Sequence, residues 1–316
     1  MRSVVFWSAS ALIFALGLVA TRLLANEFFF FAGYAILQAT VIAVAWNILG
    51  GFTGYVNFGS AGFFAIGVYT AVALNKAFDP PFVVMLLAAA LIGGLIGLVT
   101  GYLTLRLRGV YFAIATLAMA IVLETVATNW AYVGGATGAY ILTPKTVLFF
   151  GDYIEFLFAL MLLLTLGAVA IARHLQLSRI GQGLAAIRDD EIAAECMGVP
   201  TLRLKLVSTT VMGALMALAG VPYPFFVTYV DPSSAFDLSI AVNAIAMPMI
   251  GGTALWFGPV VGALLLGSVQ EIVTVTVSSA VNVMIVGVLL VTFIVVAPQG
   301  IVGLIRDRWA KRRAHG

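Results

Sequence analysis

Apolar runs separated by short polar breaks recur along the whole chain. They lie near 3–21, 30–49, 58–76, 82–105, 109–130, 153–172, 205–226, 238–250, 257–277 and 280–297. The hydrocarbon core of a bilayer is about 30 Å thick, so about 20 apolar residues cross it as a helix. About ten helices are therefore predicted, each near the spanning length except 238–250, which is short.

Composition sharpens that picture. Hydrophobic residues make up 63% of the chain and charged residues only 9%, with a mean hydropathy of +1.13. A soluble domain carries about 25% charged residues, and a soluble fold of this size could not cover its surface with so few. The expected fold class is an all-α membrane protein, a polytopic helical bundle with Gly-rich broken segments. One membrane domain over 1–316 is expected, with a loop at 173–205 and a basic tail at 306–316 inside it. The single cysteine, Cys196, excludes an internal disulfide framework, and no Cys/His metal spacing occurs. His174 and His315 stand apart beside basic residues, so no metal site and no catalytic residue is assigned.

The distribution of Lys and Arg sets an orientation. With the C-terminal tail placed in the cytoplasm and the helices alternating backwards from it, 13 basic residues fall on the cytoplasmic side. Only Arg22, Lys76 and Lys145 fall outside. This is the positive-inside pattern, with both termini cytoplasmic and an even number of helices. Membrane topology thus accounts for the pI of about 9.1, and nucleic-acid binding is set aside. The tail around Trp309, Lys311, Arg312 and Arg313 is expected to anchor on anionic lipid. The first segment, followed by Arg22 and without a clear small-residue cleavage site, is read as an uncleaved span.

Two glycine-rich stretches interrupt the apolar pattern, Gly50 to Gly62 and Ile250 to Pro259. Both fall at a cytoplasmic-side turn and precede a small-residue helix, as a weak internal repeat would. Paired Gly/Pro-interrupted segments mark solute sites in transporters; close helix packing through glycine accounts for them equally. Asn57 and Ser60 carry polar atoms that need partners in lipid. With Phe58, Gly59, Gly251 and Gly252 they form a candidate path or gate. Glu124 and Glu271 are carboxylates within spans, where charge is costly. Glu124 and Thr128 share a helix face and belong either to a polar path or to a packing hydrogen bond. Glu271 is read as structural. The expected outer face holds Glu27, Asp79, Asp152, Glu155, Asp231 and Asp237 against its three bases, a net negative surface that a basic partner would complement.

The stretch 173–205 is the least membrane-like part of the chain. Leu184, Ile187, Ile192 and Met197 mix there with Ala, Arg and Glu, and Gly198 followed by Pro200 is a stop signal. One short amphipathic helix, suited to docking into a groove on another protein, is expected. Glu191-Ile192-Ala193-Ala194-Glu195-Cys196-Met197-Gly198, preceded by Gly183 and Arg188, resembles the EAA-type coupling loop of ABC importer permeases. The closest likeness is to the branched-chain amino acid permease family, in its LivM-like subunit. The first glycine-rich stretch with Phe63 to Tyr69, the stretch Arg108 to Leu117, and Gly251 to Pro259 resemble that family too. The four motifs stand in the family's order, and the likeness runs roughly from Trp46 to Gly303.

That resemblance implies a permease subunit working by alternating access and moving a branched-chain or other amino acid. Urea or amides, and aromatic or short organic acids, are alternative solutes. It assigns Arg188, Asp189, Asp190, Glu191, Ala194, Glu195 and Gly198 to coupling with an ATPase. The implied partners are a second homologous permease, cytoplasmic ATP-binding subunits and an extracytoplasmic solute-binding protein, in a bacterial inner membrane. No Gly-x-x-x-x-Gly-Lys-Ser/Thr motif occurs, so ATP is expected to be used by the partners and no cofactor by this chain. Members often carry a Leu-Ser-Leu-Gly-His pattern where this chain has Tyr55 to Ser60, a departure that bears on selectivity. A stand-alone secondary transporter would not need the coupling-like loop. An intramembrane enzyme would need a constellation of His, Asp, Glu, Ser or Lys at depth, which is not visible here.

The topology has a direct check. Membrane-impermeant thiol reagent should label Cys196 only after the cells are permeabilised; labelling from outside intact cells would overturn both the orientation and the coupling assignment.

Overall fold

The computed structural model describes residues 2–23, 27–104, 106–107, 109–141, 152–276, 284, 287–292 and 300–304. Most of the expected last span 280–297 lies outside the described residues, as do the tail 306–316, Arg108 and Lys145.

The chain folds as an all-α polytopic membrane protein. Its helices are α1 (Arg2–Leu23), α2 (Glu27–Thr53), α3 (Ser60–Phe78), α4 (Phe82–Thr104), α5 (Val110–Asn129) and α6 (Tyr153–Leu177). They continue as α7 (Arg179–Asp189), α8 (Glu191–Cys196), α9 (Thr201–Gly220), α10 (Tyr223–Val227), α11 (Pro232–Ala235), α12 (Leu238–Gly251) and α13 (Gly258–Thr276). Among the described residues, seven segments are long and apolar enough to cross a membrane. The sixth joins α9 to α10 and the seventh joins α11 to α12. Two shorter apolar helices, Val5–Thr21 and Gly258–Thr274, accompany them. The apolar run at 238–250 is short because its span begins earlier, at α11. Asp231 caps that helix, and hydrogen bonds from Ser233 and Ser234 hold its carboxyl below the usual carboxylate range.

Side-chain contacts sort the connections into two ends. At one end the Phe6 ring of α1 meets Trp256 at 5.5 Å and lies under the Arg173 guanidinium at 4.3 Å. At the opposite end Lys76 donates to the Tyr132 carbonyl at 2.9 Å. Phe82 meets Phe156 and Phe225 there, and Tyr34 of α2 stacks on Phe226. A two-residue ribbon at this end, β1 (Ala139–Tyr140) antiparallel to β2 (Tyr229–Val230), ties two of the connecting loops together. The sequence pattern does not predict it.

α2 is the central helix, buried without interruption from Thr40 to Thr53. Polar atoms bind it to its neighbours. Gln38 donates to the Ala219 carbonyl of α9 at 3.0 Å, and Thr165 of α6 donates to the Leu37 carbonyl at 3.2 Å. Lipid removes the hydrophobic drive for helix association, so small residues and interhelical hydrogen bonds take over that task. α4 accordingly meets α9 along Gly93, Gly97 and Gly101, a four-residue repeat lying on Gly213 and Thr209. α3 meets α9 as closely: a Cβ at Gly67 would stand 1.8 Å from the Ala217 carbonyl oxygen.

That contact predicts a contrast between two glycines. Gly67→Ala should destabilise the protein by roughly 1–3 kcal/mol through overpacking against backbone. Gly167→Ala, with no atom within 4 Å of the added carbon, should not. Thermal unfolding of the detergent-purified chain distinguishes the two, and equal melting temperatures would rule out the close α3–α9 approach.

Candidate functional site

The first glycine-rich stretch is a true helix break. α2 stops where Gly54 takes a left-handed conformation, φ 81°, with its N–H returned to the Gly50 carbonyl at 3.0 Å; glycine enters that region without steric penalty. Residues 54–59 then run without regular structure to the start of α3. Unpaired backbone in a membrane must be satisfied by protein or water. Here Trp46 Nε1 donates to the Asn57 carbonyl at 2.8 Å, and the Phe58 N–H donates to Thr116 Oγ1 of α5 at 3.1 Å. Asn57 is buried, and its side-chain oxygen accepts from the Gly59 N–H at 2.6 Å while its amide points at the Met212 sulfur at 3.5 Å. Asn57 therefore shapes the break from inside. Ser60 Oγ is buried and has no partner among the described residues.

The segment expected as one amphipathic helix is two. α6 continues to Leu177, so Arg173, His174 and Gln176 belong to it. α7 then folds under its end: a Cβ at Gly181 would lie 2.4 Å from the Leu175 carbonyl oxygen. Gly181 and Gly183 sit inside α7. The chain breaks at Asp190, extended at φ −159°, whose carboxylate accepts from the N–H groups of Ile192 and Ala193 at 2.9 and 3.0 Å. An aspartate that caps the next helix competes with continuation of the previous one. Gly198, at φ 83°, ends α8 in the left-handed region, and Val199 N–H returns to the Ala194 carbonyl. Glu195 accepts from Thr201 Oγ1 at 2.6 Å, fastening α8 to α9.

The apolar residues of this loop divide between two faces. Leu184, Ile187 and Ala194 are buried against the bundle. Ile192 is 60% and Met197 84% exposed, with Asp189, Glu195 and Cys196 exposed around them.

A buried polar node joins this loop to the break. Lys205 Nζ of α9 meets Glu191 Oε1 at 2.5 Å, with the two side chains only 4% and 13% exposed. Tyr55 donates its hydroxyl to the other Glu191 oxygen at 2.6 Å and accepts from Lys205 at 3.1 Å. The ammonium also lies 4.7 Å from the Tyr55 ring centre. Beside the node, Arg188 donates to the Gly51 carbonyl at 3.2 Å. α5, the break and α7–α8 together surround a cavity of about 560 Å³, lined by Tyr55, Phe58, Val110, Arg188 and Glu191 among others.

Of the residues singled out in the sequence, Arg188 and Glu191 touch the broken segment through Gly51 and Tyr55. Asp190, Glu195 and Gly198 shape the loop, while Asp189 faces solvent and Ala194 the bundle. Gly251 and Gly252 lie at the second break, residues 252–257, where a Cβ on Gly251 would fall 1.8 Å from the Gly258 carbonyl oxygen. Their surroundings are close-packed backbone. That break is also held from α6: Gln176 donates to the Ala254 carbonyl at 2.7 Å and accepts from the Trp256 N–H at 2.8 Å. Glu124 and Thr128 stand far along α5, joined by a bond from Thr128 Oγ1 to the Glu124 carbonyl.

Sequence reasoning missed Lys205, Tyr55 and Gln176 as site residues. A lysine at the start of an apolar run was a usable signal for the first; Gln176 gave none.

A helical membrane bundle whose broken spans are tied to a helical loop at one end has the make-up of a transporter's membrane subunit. The family profile "Branched-chain amino acid transport system / permease component" matches residues 27–294, and the chain belongs to that family, one of transporter permeases. It is similar to the high-affinity branched-chain amino acid transport system permease protein LivM of Salmonella typhimurium and of Escherichia coli. Each is 27% identical over 293 residues, covering 85% of this chain and 68% of the relative. A probable branched-chain amino acid transport permease protein LivH of Methanocaldococcus jannaschii is 24% identical, covering 80% of this chain and 84% of its own. No solved structure matches significantly.

The node predicts strong non-additivity. Lys205→Met removes the ammonium that neutralises the buried Glu191 carboxylate, a loss of roughly 3–5 kcal/mol. Adding Glu191→Gln removes that charge and should recover most of the loss in thermal unfolding. If the double variant is as unstable as the sum of the two single changes, the pairing is not what holds α8 to α9.

Proposed function

We propose that this chain is a permease subunit of an ABC importer that carries branched-chain or closely related aliphatic amino acids inward across a bacterial inner membrane. Its broken-helix end faces the cytoplasm, with both termini on that side, as the sorting of basic residues supports. There α7 and α8 dock on ATP-binding subunits, which supply the ATP chemistry, so the chain itself works without catalysis or cofactor. A second homologous permease completes the channel, and an extracytoplasmic solute-binding protein delivers the solute. Family membership and the names of the similar permeases support the solute class.

The observation that carries the coupling mechanism is the contact of Glu191 with Tyr55. Glu191 begins α8, and Tyr55 lies within the break between α2 and α3. A push on the exposed Ile192–Met197 surface displaces Glu191, and with it the first break. A two-state element biased by an outside partner is the minimum that alternating access requires. Arg188, Asp189, Asp190, Glu191, Ala194, Glu195 and Gly198 form the coupling element; Asn57, Phe58, Gly59 and Ser60 form the inner gate.

Gly198→Val tests the coupling. The added carbon meets nothing within 4 Å, so the strain is confined to a left-handed backbone position that a β-branched residue resists. The variant should insert into the membrane normally yet lose ATP-driven leucine uptake and solute-stimulated ATP hydrolysis by the assembled transporter. Uptake at the unaltered rate would remove α8 from the coupling path.

A further inference from the structure

α5 is the least enclosed of the seven long spans. Its last turns carry Glu124, Thr125, Thr128 and Asn129. Thr125 Oγ1, Thr128 Oγ1 and Asn129 Nδ2 each donate to a carbonyl of α5 itself at 2.8 Å. The Glu124 carboxylate is half-buried and makes no hydrogen bond or ion pair among the described residues. A charge on a membrane span belongs against water, protein or a ligand, not against hydrocarbon.

The neighbouring flank of the same helix borders a cavity of about 320 Å³. Leu123 and Val126 of α5, Ile66 and Tyr69 of α3, Ala88 of α4 and Phe236 line it, and Phe236 stacks on Tyr69 with ring centres 6.1 Å apart. Its size lies in the range of small-molecule sites, roughly 300–1,000 Å³. Its walls are almost wholly apolar. Tyr69, Thr70 and Trp130 carry the few polar side-chain atoms. The Thr70 hydroxyl is spent on the Ile66 carbonyl, whereas the Tyr69 hydroxyl is buried with no hydrogen-bond partner among the described residues and lies in the electrostatic field of both Glu124 and Asp231. The complement of an aliphatic hollow beside an unpaired carboxylate is a molecule with a branched aliphatic group and a cationic head. A lipid acyl chain matches the hollow but leaves the carboxylate unexplained.

We propose that the α3–α4–α5 cavity and Glu124 form a binding station on the solute's path, the cavity taking the aliphatic side chain and Glu124 the primary ammonium group. This assignment rests on the functional reading above and adds to it a place and a basis for selectivity.

The test uses the assembled transporter in proteoliposomes, with one solute-binding protein at saturating concentration, and compares uptake of labelled L-leucine with that of labelled L-alanine. Ala88→Leu fills the hollow from α4. It should lower the leucine-to-alanine uptake ratio by about tenfold, since each methylene in a hydrophobic pocket discriminates by roughly 10-fold or more. Because every sample shares the same binding protein, the change in ratio reports the permease. Glu124→Gln should depress uptake of both amino acids while the subunit still co-purifies with its ATP-binding partners, and Glu124→Asp should restore part of it. An unchanged ratio in Ala88→Leu assigns the cavity to lipid or packing and overturns the proposal, as does unaltered uptake in Glu124→Gln. Should Glu124→Gln fail to assemble, the Ala88→Leu ratio decides alone. Absence of ATP-driven uptake of either amino acid by the unaltered transporter would instead overturn the functional reading itself, and this proposal with it.

Discussion

Interrupting a helix inside a membrane releases backbone donors and acceptors that lipid cannot satisfy, and the rest of this bundle is arranged around that constraint. Residues 54–59 are tolerated because α2 reaches them with Trp46 and α5 with Thr116, while Asn57 closes on the break from within and Arg188 of α7 takes the Gly51 carbonyl in the last turn of α2. The complete burial of the second half of α2 follows from this. Neighbours must close around the break to bring those side chains within reach, and the glycine stripes of α3, α4 and α9 permit such closeness.

The node of Lys205, Glu191 and Tyr55 has a different energetic character. Taking an ammonium and a carboxylate out of water costs several kcal/mol per ion, and their attraction repays this only with good geometry and further hydrogen bonds. Tyr55 and its ring provide those. An apolar trio would hold α8 on α9 equally well, so stability alone does not explain the arrangement. A charge pair at one register penalises intermediate positions more sharply than an apolar contact does. That property suits an element meant to occupy one of two discrete states, which is how the node serves the proposed coupling.

The bundle was legible in the sequence wherever one run of residues carries the information. The apolar runs correspond to α1 through α6, to α9 with α10, to α12 and to α13, because lipid exposure demands hydrophobicity on every face. The loop was legible as helical, and the left-handed stop at Gly198 was predicted from Gly198 and Pro200. What the sequence hid depends on residues far apart in the chain. Whether Asp190 continues one helix or caps the next is decided by packing on either side. Glu191 finds its partners at positions 55 and 205, and a lysine at the start of an apolar run does not say which acid it will meet. Gln176 looked like any polar residue near a span end, yet both ends of its amide hold the second break. The glycines announced close packing without saying which helix each one meets.

The two breaks, which look like copies in the sequence, are built on different physics, and this bears on which of them can move. Around 252–257 the backbone is locked by direct contact. Gly251, Gly258 and Gly262 each stand where a single added carbon would fall 1.8 Å from a carbonyl oxygen, and interlocked backbone has no alternative packing nearby. The Gln176 amide adds two hydrogen bonds that tie it to α6. Around 54–59 the restraint comes from side chains, and a side-chain hydrogen bond can change partner by rotating a torsion. Buried polar atoms without partners among the described residues lie close in sequence to this break, on Asn47 and Ser60, and such groups gain free energy when a rearrangement offers them a partner or water. On these grounds the second break is built as a fixed support, and the first is the one suited to move in the proposed mechanism.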